Sequence, residues 1–151
     1  MFKWLSSKKT TSSSFPGTLT GSKEEKTLYA VAMLLSEIMH ADHQLCSQEK
    51  STVTTILYQQ FGMSEAGAQE LLNKVNKHMK DAISLHEYTS FINSTFQYEQ
   101  KVELIKSLWH VAYSDNMLDR YEEHLIRRLA DLLYISHSDY IREKHVVSNS
   151  Q

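Results

Sequence analysis

One cysteine, one proline and four glycines in 151 residues are low counts, and each scarcity removes a class of architecture. A lone Cys46 leaves no disulfide framework and no thiolate zinc cluster, and it fits a reducing, cytoplasmic setting. With so few Gly and Pro, the chain lacks the turn residues that a β-sandwich or barrel consumes, whereas helices joined by short connections need few. No apolar run approaches the ~18 residues of a membrane-spanning helix. Nor does one sign of charge dominate: 16 basic against 18 acidic residues give a net −2. No field results that would draw in nucleic acid. A phosphate-cradling Gly-rich loop, a Gly-x-Ser-x-Gly elbow and a His-Glu-x-x-His motif are all missing, so the sequence predicts a binding module and not an enzyme.

What is present fits an all-α protein. A hydrophobic fraction of 41% with 23% charged residues is that of a soluble globular domain. Residues 1–22, rich in Ser, Thr and Lys, are expected to form a flexible tail. Its start, Met1–Leu5, has too short an apolar core for a signal peptide. Phe2, Trp4 and Leu5 beside Lys3, Lys8 and Lys9 predict at most a weak peripheral contact with an anionic membrane surface. From Lys23 the pattern turns helical. Leu28, Val31, Ala32, Leu35, Ile38 and Met39 form one apolar stripe that stops at Asp42-His43.

Six further helices follow from their start and stop signals. The second begins near Ser47 and ends at Phe61-Gly62. Ser64 caps the third, and Ser84 with Glu87 opens the fourth as a capping box. A fifth covers about Tyr98 to Tyr113. Asp119 with Glu122 is another capping box, starting the sixth, and Ser136 begins a short seventh ending near Lys144. The expectation is a single compact domain of about seven helices over residues 23–145, followed by a disordered 146–151.

One segment occurs twice. Met39-His-Ala-Asp42-His43-Gln-Leu45-Cys-Ser-Gln-Glu49 aligns with Ala112-Tyr-Ser-Asp115-Asn116-Met-Leu118-Asp-Arg-Tyr-Glu122 at an offset of 73 residues. Asp42 matches Asp115, His43 matches Asn116, Leu45 matches Leu118 and Glu49 matches Glu122. Two pseudo-repeated helix–loop–helix units are therefore expected, too few for a solenoid. All four carboxylates fall at the edge of a buried stripe, at the mouth of a loop. His43 and Asn116 stand where the helix must turn, and both residue types are enriched at positive φ.

Two readings of the four acids stand side by side. An Asp closing one helix and a Glu in the first turn of the next satisfy free backbone amides and complement the helix dipole. Alternatively, Asp42, Glu49, Asp115 and Glu122 supply oxygen ligands to a divalent cation. An EF-hand is excluded, because its terminal ligands are about eleven positions apart with Gly at the sixth. Here the separation is seven, with Met117 and Leu118 in the middle of the second loop.

At this loop the chain resembles the TerB family of tellurite-resistance proteins and is similar to the N-terminal cytosolic region of the DjlA co-chaperones. The resemblance rests on Ala41-Asp42-His43 with Leu45 and Glu49, and on Ser114-Asp115-Asn116 with Leu118 and Glu122. It extends over about Lys23 to Lys144. The family pattern has Asp-Gly where this chain has Asp42-His43 and Asp115-Asn116, so His43 either adds a nitrogen ligand or replaces the site. The resemblance implies a seven-helix fold and a role in divalent-cation binding and stress response. The alternative is a protein-interaction or co-chaperone-type adaptor whose acids only cap helices and whose partners are other proteins.

Other residues carry weaker signals. Glu37 and His40 share a helical face, and Glu37 aligns with His110, so the three are additional candidate ligands for a softer metal. A solvated polar face is the competing reading. Trp109 and the eight Tyr residues are expected in core and rim packing. Cys46, near a helix start, lacks a partner that would make it a nucleophile.

Overall fold

A computed structural model of the protein describes residues 23–41, 47–78, 85–114 and 118–150. Seven helices account for nearly all of them: α1 (Lys23–Met39), α2 (Ser47–Phe61), α3 (Glu65–His78), α4 (Leu85–Thr95), α5 (Tyr98–Ala112), α6 (Arg120–Leu132) and α7 (His137–Asn149). The described residues contain no strand. None of their helices is long and apolar enough to cross a membrane.

The fold is organised around α1. Its apolar stripe is wider than the periodicity of Leu28, Val31, Leu35 and Ile38 predicts. Tyr29, Ala30, Met33 and Leu34 are also fully buried. A helix that is apolar all round belongs in the interior, and α1 packs against α2, α3, α4, α5 and α6. Helix α5, whose Leu104, Ile105, Leu108 and Trp109 are buried, forms the second layer with α7. Trp109 lies against Tyr140 of α7, with ring centroids 5.3 Å apart, and against Tyr113 at 6.0 Å. Burying each such side chain contributes roughly 1.5–3 kcal/mol before chain entropy is subtracted.

Local signals set the helix ends. The Ser64 hydroxyl accepts from Gly67 N–H at 2.9 Å and the Ser136 hydroxyl from Asp139 N–H at 3.2 Å, so both predicted caps are made. Gly62, at φ +70°, ends α2 in the left-handed conformation that favours glycine. Tyr134 does the same for α6 at φ +58°. There Ile135 N–H donates to Ala130 O at 2.9 Å and Tyr134 N–H to Asp131 O at 3.1 Å, the bonding pattern of a Schellman cap. The sequence match of Phe61-Gly62-Met63-Ser64 with Leu133-Tyr134-Ile135-Ser136 thus carries a shared left-handed residue, although Met63 N–H donates to Leu57 O at 3.4 Å.

Two expectations change. Helix α7 does not end near Lys144 but continues to Asn149, because Val147 is fully buried and holds the last turn down; residues 146–149 are helical. The tyrosines do not all pack in core and rim: Tyr29, Tyr88 and Tyr140 are buried, but Tyr121 and Tyr134 are 69% and 77% exposed. Residues 1–22, Cys46 and the Ser84 cap lie outside the described residues.

Candidate functional site

The two repeated loops leave their first helices in the same way. Ala41 N–H donates to Ile38 O at 3.2 Å, and 73 positions on Ser114 N–H donates to Val111 O at the same distance. Beyond these residues, Asp42, His43, Asp115 and Asn116 lie outside the described residues. The far sides of both loops are described. Glu49 is the third residue of α2 and Glu122 the third residue of α6. Their side chains are 1% and 2% exposed, so both matched carboxylates are interior groups and not edge groups as the periodicity suggests.

Local sequence explains this placement. Val53 and Ile126, each four residues further on, are fully buried on the same helical face. Leu118 packs partly buried against the core immediately before α6. Asp119 and Glu122 make the predicted capping box, in which Glu122 Oε1 accepts from Asp119 N–H at 3.1 Å. One carboxylate oxygen of Glu122 is thereby committed to the backbone. Enclosing an ionised carboxylate this completely costs several kcal/mol unless charge or hydrogen bonds offset it.

The remaining candidate ligands fall elsewhere. Half-buried Glu37 and His40 lie at the end of α1; His40 Nδ1 is 2.8 Å from Ser36 O. Burial raises the Glu37 carboxyl above the usual range, partly opposed by His40. The face is therefore not a simple solvated one. It adjoins Tyr88, whose phenol is pushed up to about 12, chiefly by burial and then by Tyr29, Glu87 and Glu37. His110 sits on α5, where burial and then Lys106 lower its pKa, opposed by Glu103. Among the described residues, no three His, Cys, Asp or Glu side chains converge on a point able to hold a metal.

A polar junction that the sequence does not signal joins α5 to α7. The Tyr98 hydroxyl accepts from Ser136 N–H at 3.1 Å and donates to the Asp139 carboxylate. That bond, followed by those from Ser136 and Arg142, holds the Asp139 carboxyl below the ordinary carboxylate range. The partners are 41 residues apart, and no local pattern links them.

Residues 28–145 match the family of the tellurite resistance protein TerB. Among proteins with curated descriptions, no relative matches. A crystal structure of a protein of unknown function from Porphyromonas gingivalis W83 is similar in fold, with a TM-score of 0.61 at 19% identity, over 86% of this chain and 98% of that one. Since that family match covers most of the chain, the protein belongs to the TerB family.

Proposed function

We propose that the protein is a non-enzymatic, divalent-cation-binding member of the TerB family, with Asp42, Glu49, Asp115 and Glu122 as the ligand set, in a stress or tellurite-resistance-related role. The observation that carries this reading is the near-complete burial of Glu49 and Glu122 at equivalent positions of two loops. A first-turn Glu complements the helix dipole equally well from the surface. Burial of both members of a matched pair is what a charge-compensating cation would reward. Carboxylate oxygens suit a hard ion such as Ca²⁺ or Mn²⁺, and His43 is the candidate that would add affinity for Zn²⁺.

The Asp119–Glu122 capping box favours a second reading, in which the acids serve only the helix termini and the domain acts as an adaptor for other proteins. One titration separates the two. A ligand that binds only the folded state at 100 times its Kd adds about 2.7 kcal/mol of stability. The cation reading expects a higher unfolding midpoint with Ca²⁺, Mn²⁺ or Zn²⁺, lost in Asp115→Ala and in Glu49→Gln. An unmoved midpoint with all three ions, or equal shifts in wild type and Asp115→Ala, leaves capping as the sole role.

A further inference from the structure

All four arginines of the chain lie between positions 120 and 142, whereas lysines are spread throughout. Arg142 is held by Asp139 at 2.6 Å and Glu143 at 3.1 Å. The other three, Arg120, Arg127 and Arg128, stand exposed on α6 and make no ion pair among the described residues. Tyr121 and His124 are exposed on the same outer surface, while Ile126, Leu129 and Ala130 face the core. Eight residues of helix separate Arg120 from Arg128, about 12 Å at 1.5 Å per residue. Nearby acids only partly offset the charge: Glu123 is engaged by Lys144 and Glu122 is buried, leaving exposed Asp131 and half-buried Asp119 against three guanidinium groups.

The pseudo-repeat supplies an internal control. At the offset of 73, Arg120, His124, Arg127 and Arg128 correspond to Ser47, Ser51, Thr54 and Thr55 of α2. The same helical face can therefore be built with neutral hydroxyl residues, and the basic surface is particular to the second half. A guanidinium presents a planar fork of donors that matches a carboxylate, which a lysine does not.

The geometry points to the outer face of α6 as a docking surface for an acidic polypeptide segment, with Arg120, Arg127 and Arg128 taking its carboxylates and Tyr121 giving it an aromatic contact. Charge complementarity selects the occupant. A membrane surface is disfavoured because the apolar side of α6 is locked in the core and Tyr121 alone remains to insert. A nucleic acid is disfavoured because three cations in a chain of net charge −2 make a small footprint for a phosphate backbone. This surface is independent of the loop carboxylates and does not rest on the cation reading.

The test uses the full chain and a fluorescein-labelled ten-residue peptide of alternating Glu and Ser, followed by anisotropy at low ionic strength. Saturable binding is expected, weakening as salt is raised. The pair R127E/R128E should lose about tenfold or more in affinity and R127Q/R128Q several-fold, since charge across an interface sets both encounter and register. Reversing two exposed lysines elsewhere, K50E/K77E, changes net charge equally and should cost less than about twofold. Retained unfolding midpoints in the Gln pair exclude misfolding as the cause. Equal losses in the arginine and lysine variants, absence of saturable peptide binding, or tighter binding to phosphatidylserine vesicles or to an oligouridine RNA would each overturn the assignment.

Discussion

Replacing Glu122 measures how much of this buried carboxylate is used by the helix terminus. In Glu122→Ala the Asp119 N–H loses its acceptor while staying partly buried, a cost of about 1–3 kcal/mol. The negative charge in the first turn of α6 also goes, adding roughly 0.3–1 kcal/mol. Together these predict a loss of about 1.5–4 kcal/mol. Glu122→Gln keeps the acceptor and the shape and gives up only the charge. The lost dipole interaction of about 1 kcal/mol or less is opposed by relief of the buried charge, so its midpoint should stay several degrees above that of the Ala variant. For a domain of this size one kcal/mol moves the midpoint by about 3–5 °C. Thermal unfolding followed by circular dichroism, in the presence of a chelator, therefore separates the variants by several degrees. Coincident midpoints for Ala and Gln would refute the capping geometry as an energetic contributor. The same Gln variant returned to Ca²⁺ or Mn²⁺ then reports the remaining role: with the cap intact, any missing stabilisation by the ion belongs to the lost charge.

Other perturbations have equally definite signs. Gly62→Ala puts a Cβ into open space but at φ +70°, so strain of about 1–2 kcal/mol, less about 0.4–1 kcal/mol of unfolded-chain entropy, should lower the urea midpoint with an unchanged m-value. Tyr98→Phe removes the contacts to Ser136 N–H and the Asp139 carboxylate; native-state hydrogen exchange should show faster opening at the start of α7. Because the Asp139 pKa is depressed in the folded state, its contribution is present above the ordinary carboxylate range and is lost as pH falls through the folded value. The midpoint difference between wild type and Tyr98→Phe should accordingly shrink in acid. Burial depresses the His110 pKa, so stability is full above the ordinary histidine value and falls on acidification; His110→Gln should flatten that slope between pH 7 and 5. Glu37 has a raised pKa, so its neutral form is favoured and stability falls as pH rises through the folded value. Glu37→Gln should raise the midpoint at pH 7 relative to wild type, with a smaller gain near pH 4.

Helix ends were the most legible part of the fold. Ser64, Ser136, Gly62 and the Asp119–Glu122 box each act through backbone groups within a few residues, and such signals survive any tertiary context. The all-round burial of α1 was less so, because periodicity reveals one apolar stripe and cannot say how many neighbours surround it. Start signals fix Glu49 and Glu122 in the first turns of their helices, but their depth depends on how far Val53 and Ile126 draw those turns inward. The extension of α7 rests on Val147 reaching the core, a contact that nothing in the polar residues 148–151 announces. Tyr98 and Asp139 meet only because α5 and α7 pack together.

The paired halves show which features the fold requires and which it leaves free. Glu37 and His110 occupy matched, half-buried positions, and burial moves them in opposite directions: the acid up, the base down. Each shift favours the neutral form, so the position accepts a polar group of either kind provided its charge is discouraged. Gly62 and Tyr134 likewise share a left-handed backbone despite unlike side chains, and the tyrosine tolerates the strain while leaving its ring 77% exposed. At Glu49 and Glu122 the opposite holds. Both halves keep a carboxylate at the same depth, although a cap needs no burial and a buried charge is costly. A capping box does not itself require an acid, since the Gln97–Gln100 pair ahead of α5 forms one with neutral amides nearer the surface. A negative charge kept at this depth in both halves is the observation behind the proposed cation, and the titration of wild type against Glu49→Gln tests it.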